Sequence, residues 1–149
     1  MARESEARAV ARARRAARKL LVQALYQLQI GEQPWQDLCQ QYLGDPESAG
    51  ADAGYFRELL QAISGARPAL DATLARFSDI EPARLDPIEH GILWLAVHEL
   101  ESRPDVPFRV AISEAVELAK RFGATDGHKF VNGVLDRAAG ALRPHERSA

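Results

Sequence analysis

Residues 11–30 read ARARRAARKLLVQALYQLQI, and their spacing decides the fold class. At 100° per residue, Val10, Ala13, Ala17, Leu20, Leu21, Ala24, Leu25 and Leu28 share a stripe about 140° wide, the pattern of a helix that packs along one side. Arg8, Arg12, Arg15 and Lys19 line up opposite it at steps of four, three and four, while Arg14 and Arg18 flank the apolar stripe. Tyr26 follows Lys19 by seven positions, so its ring continues the basic ladder and does not join the core. The spacing predicts a helix over residues 5–30, stopped at Gly31 with Pro34 beyond.

The charge on this helix is out of keeping with the rest of the chain. Seven basic against two acidic side chains make the first 19 residues about +5, and twelve against nineteen leave the remainder about −7. From Ala7 to Ile30 there is no Asp or Glu. Like charges at this spacing destabilise an isolated helix slightly, so an external partner is expected to stabilise them. Phosphate suits the role: the arginine fork matches its oxygens, and each neutralised phosphate releases counterions. A plain solvated face is the alternative, in a chain that uses 16 Arg and only 3 Lys. Tyr26 on the same face could stack on a base or enter a protein partner.

Outward from this helix the 3.6-residue period persists, and no stretch alternates as a strand does. A short helix is expected at 35–43, followed by the loop GDPESAGADAG. A longer helix over 52–76 carries Phe56, Leu60, Ile63, Leu70, Leu74 and Phe77, with a kink or break near Arg67 because Pro68 lies inside it. After the hinge SDIEPARLDP, Asp86 is placed as the N-cap and Pro87 as the first residue of the next helix. A further helix ends at Gly123. The last runs through Val131, Val134, Leu135 and Ala138 to Leu142, leaving RPHERSA as a frayed tail. The fold class is all-α, with helical subdomains expected over about 5–77 and 78–143 of a single domain.

The composition excludes several classes. The 149 residues suit one domain, and 46% apolar content is enough for a packed core. The single cysteine, Cys39, rules out an internal disulfide and a four-cysteine zinc site. LLVQALYQLQI is broken by Gln23, Gln27 and Gln29, which argues against a signal peptide, and Glu4 and Glu6 argue against a transit peptide. No apolar run is long enough to span a bilayer, so a cytoplasmic protein without membrane contact is expected. No enzyme is expected: Cys39 has no neighbouring base, and His90 and His98, although two turns apart, lack a third convergent ligand. No cofactor and no metal are expected.

ARRAARKLLVQALYQ, VPFRVAISEAVELAKRFG and HKFVNGVLDRAA together resemble the NusB family of bacterial transcription antitermination factors, over roughly residues 12–143. The resemblance implies about seven helices in two subdomains and no covalent chemistry. It implies pairing with NusE, a small-subunit ribosomal protein, and binding of single-stranded boxA leader RNA from ribosomal RNA operons, within the RNA polymerase antitermination complex. Arg14, Arg15 and Arg18 fall on the family's arginine motif, with Arg12 and Lys19 beside it as further RNA contacts. Asp126, Lys129 and Phe130 border the same RNA surface, and Lys120, Arg121 and His128 add donors nearby. Tyr26 and Glu89 match positions at the NusE interface.

Other readings of these residues stay open. Asp126 could simply cap a helix, and Phe130 is in step with Val134 and could pack. Gly133 costs a helix about 1 kcal/mol, which suggests a close helix approach. Ser113, Gly127, Trp94 and His98 depart from the family's usual residues. An exposed Trp94, with Val97, would mark a self-association patch, so a homodimeric interaction module with a masked RNA-binding face is the alternative function. The same domain heads certain ribosomal RNA methyltransferases, but 149 residues leave no room for their cofactor-binding domain.

Overall fold

The computed structural model describes residues 2–148. Among the described residues, eight α-helices and two 3-10 turns account for 80%, and there is no strand. The helices divide into two units, Met1–Gly65 and Ala66–Ala149.

The first unit holds α1 (Ala2–Ile30), α2 (Trp35–Leu43), a 3-10 turn at Pro46–Ser48 and α3 (Ala53–Gly65). α1 packs on α2 and α3, and Leu21, Leu25, Leu38, Phe56, Leu60 and Ile63 are wholly buried between them. At roughly 1.5–3 kcal/mol for each large apolar side chain removed from water, this core dominates the stability of the unit. Gln27 ties the end of α1 to α2, accepting from the Tyr42 hydroxyl at 2.7 Å. Asp52 fixes the start of α3: its side chain accepts from the Tyr55 N–H at 3.0 Å, and its own N–H donates to the Ala13 carbonyl at 3.0 Å. That bond sets where the stripe of α1 begins to pack. Ala17 is buried, but Val10 is 51% exposed, so the predicted stripe is core only from about Ala13 onward. Ser5 to Arg12 are exposed, because α3 starts level with Ala13.

The predicted 52–76 helix is broken. Ala66, with φ −121° and ψ 13°, leaves the helical conformation, and α4 (Arg67–Ala75) restarts with Pro68 in its first turn. There the missing proline N–H costs nothing. α4 belongs to the second unit, so the division lies at Gly65/Ala66 and not near residue 77.

The second unit continues with a 3-10 turn at Pro82–Arg84, α5 (Pro87–Ser102), α6 (Phe108–Phe122), α7 (Gly127–Leu142) and α8 (Pro144–Ser148). α5 is its central helix. Every residue from Glu89 to Val97 is buried, and α4, α6 and α7 surround it. A helix apolar on all sides has to be enclosed in this way. Asp86 caps it as predicted, accepting from the Ile88 N–H at 2.9 Å and the Glu89 N–H at 3.3 Å. Trp94 is 3% exposed and Val97 wholly buried, so they form no surface patch. The Trp94 indole donates to Asp71 of α4 at 2.8 Å, and His90 meets the same carboxylate oxygen at 2.6 Å.

The expected frayed tail is instead a clasp. The Arg143 guanidinium donates to the carbonyls of Leu100, Glu99, Arg103 and Val106 at 2.8–3.0 Å, where α5 ends and the chain turns into α6. Glu146 of α8 pairs with Arg143 at 2.6 Å and accepts from the Phe108 N–H at 2.9 Å, capping α6 behind Pro107. One arginine and one glutamate thus satisfy orphan groups at two helix ends.

Candidate nucleic-acid interface

α1 presents two sets of cations. Arg12 and Arg15 are exposed and Lys19 half-exposed, on the face opposite the packed stripe. Tyr26 lies further along that face, 40% exposed. Arg14 and Arg18 turn toward α3, where their guanidinium carbons lie 4.5 and 5.5 Å from the centre of the Tyr55 ring. Arg18 is only 3% exposed. The arginine run is therefore divided: Arg12 and Arg15 face solvent, while Arg14 and Arg18 brace the helix on an aromatic ring. A guanidinium stacked on a ring keeps its charge and loses freedom, which holds the neighbouring turns of α1 in place.

Tyr55 was not among the predicted site residues. Its signal was present in the sequence, three residues after the capping Asp52 and next to core Phe56, but nothing in a helical period says that two arginines will lie over it.

The remaining predicted residues lie in the second unit. Asp126, Lys129 and Phe130 come together at the start of α7. Asp126 has φ 64° and makes no side-chain cap bond, so the capping alternative does not hold. Its carboxylate pairs instead with Lys129 at 3.3 Å, with both side chains well exposed. Left-handed backbone is tolerated by Asp better than by most residues. Phe130 is half-buried, with part of its ring available. Lys120 and Arg121 are exposed in the last turn of α6.

Glu89 is less accessible than a contact residue at a protein interface would suggest, at 9% exposure. Burial, and then the nearby Asp86 charge, push its carboxyl above the usual carboxylate range. Gly133 does not mark a close helix approach: a Cβ there would meet only the Arg137 guanidinium, at an ordinary 3.5 Å. Burial raises the Cys39 thiol, which removes it further from nucleophilic chemistry. His90 is committed to Asp71, and burial followed by the Arg103 charge lowers His98. Among the described residues no group of three or more His, Cys, Asp or Glu could hold a metal, and no helix is long and apolar enough to cross a membrane.

Residues 15–140 match the model of the NusB family. A protein of Idiomarina loihiensis named "Transcription antitermination protein NusB" is 48% identical over 132 residues, 89% of this chain and 95% of its own length. A Yersinia pestis protein of the same name is 46% identical, with 88% and 95% covered. The solved structure of T. maritima NusB superposes with a TM-score of 0.80 at 30% identity, over 91% of this chain and 96% of that one. The family is non-enzymatic. With a family match across most of the chain and relatives aligned over nearly their full length, this protein belongs to the NusB family.

Proposed function

We infer that this protein is a transcription antitermination factor that binds boxA-containing leader RNA of ribosomal RNA operons together with NusE, and joins the RNA polymerase antitermination complex. The observation that carries the reading is the basic face of α1, with Arg12 and Arg15 exposed and Lys19 half-exposed, in a stretch free of acidic residues and in a chain of this family. Phosphate contacts supply affinity and register. Base contacts in single-stranded RNA supply discrimination, and the half-exposed Phe130 and the exposed Tyr26 have the chemistry for stacking. The acidic remainder of the chain favours a basic ribosomal protein and disfavours indiscriminate RNA binding.

A homodimer with a masked RNA face loses its sequence argument, since Trp94 and Val97 are buried. The test is a titration of boxA-containing and scrambled RNA, with and without NusE, at several salt concentrations. Selective binding that NusE enhances supports the reading. In an Arg12→Ala/Arg15→Ala variant the affinity should fall, and the salt slope should shrink by about 0.7 per lost phosphate contact. Equal affinity for both RNAs, or an unaffected variant, would refute it.

A further inference from the structure

α7 begins with a glycine set directly against the Glu89 side chain of α5. A Cβ built on Gly127 would overlap the Glu89 carboxylate and lie 2.8 Å from its Cδ, so the carboxyl group fills space that any other residue would claim. The backbone of Glu89 is held by the Asp86 cap, which leaves the side chain as the part free to move. The inward position has opposing contributions. Burial costs the carboxylate hydration and Asp86 adds like charge, both of which raise its pKa, while the positive end of a helix favours a carboxylate. Besides Asp86, the charged or titratable groups at the start of α7 are Asp126, His128 and Lys129, of which Asp126 and Lys129 pair with each other.

We propose that Gly127 is a positioning residue for partner binding: it leaves a notch at the start of α7 into which Glu89 folds, so that the carboxylate meets a basic partner only after swinging out. This rests on the reading of Glu89 as a contact for a basic ribosomal protein. When only the outward rotamer is competent, the apparent affinity is reduced by its fractional population. Gly127 lies outside the left-handed region, and the atoms its Cβ would displace are the end of a flexible side chain. Gly127→Ala therefore folds with Glu89 expelled into solvent.

The test follows the Glu89 carboxyl carbon by NMR through a pH titration of the full chain, with and without Gly127→Ala. Alongside it, calorimetry measures NusE affinity for the unsubstituted chain, Gly127→Ala, Glu89→Gln and the double variant. In the unsubstituted chain Glu89 should titrate above the ordinary carboxylate range, and in Gly127→Ala it should return toward it. Gly127→Ala should bind NusE about 3–10-fold more tightly, the range expected when a mostly withdrawn group is released. The gain should vanish in the Glu89→Gln background. An unchanged Glu89 resonance overturns the notch. A shifted resonance with no gain in affinity, or a gain that persists without Glu89, overturns its role in binding. If the unsubstituted chain fails to bind NusE at all, the partner reading falls and takes that role with it, while the carbon resonance still decides whether the notch holds Glu89.

Discussion

Arg18 lies one turn from Arg14, both flank the apolar stripe of α1, and in the sequence nothing distinguishes the two. Burial does. Arg18→Ala removes a guanidinium covered by the first unit and stacked at 5.5 Å from the Tyr55 ring centre. It should cost about 2 kcal/mol, through lost cation–π attraction and lost packing of the stem. Arg12→Ala, on an exposed position, should change stability by no more than about 0.5 kcal/mol. Chemical denaturation of both variants checks this, and equal destabilisation would mean that Tyr55 does not brace α1. Gly133 gives a prediction of opposite sign. Its Cβ position is unobstructed in the middle of α7, so Gly133→Ala should stabilise the protein by up to about 1 kcal/mol, read as a rise in Tm. The sequence could present Gly133 only as an anomaly. Whether a neighbouring helix required it depended on contacts between elements.

At the scale of elements, the junction of α5 with α6 depends on a residue that the sequence assigned to a tail. Arg143 serves four carbonyls and Glu146 at once, and its side chain is 12% exposed. Arg143→Ala leaves these groups without their shared donor, and a loss of about 2–3 kcal/mol is expected from thermal or denaturant unfolding. No periodic signal could reveal the clasp, because its partners stand some 40 positions apart. α5 also carries the residue that sets a pH dependence. Burial and Arg103 hold the folded-state pKa of His98 below the ordinary 6.5. The unfolded chain therefore binds the proton first as pH falls, and stability present above about pH 6.5 declines below it. His98→Tyr should flatten that decline in urea midpoints measured between pH 7.5 and 5.5. An unaltered slope would assign the acid sensitivity to other groups. The Asp86 cap, by contrast, was legible from the sequence, because a cap and its helix are neighbours in the chain.

At the scale of the whole molecule, charge is divided along the sequence, with about +5 in the first 19 residues and about −7 in the rest. Ser5 to Arg12 of α1 contribute to that division without contributing to the core. Deleting residues 2–11 should leave Tm within the scatter of surface substitutions, since Ser5 to Arg12 are exposed. A clear fall in Tm would show that these turns pack. On the proposed RNA-binding reading, affinity for boxA RNA in a salt titration should fall steeply, because counterion release scales with the phosphates contacted; a flat response would count against phosphate contacts.

The sequence by itself determined the all-α class, six helical segments to within a few residues, a kink or break near Arg67 in the third of them, and which face of α1 bears the basic ladder. All of these follow from local propensity, capping and a 3.6-residue period, which act between residues close in the chain. Tertiary structure decided that Trp94 and Val97 are core, that Arg14 and Arg18 stack on Tyr55, that Arg143 and Glu146 close two helix ends, and that Glu89 folds against Gly127. A period identifies the side of a helix on which a residue lies. What lies against that side is fixed only when distant segments pack together.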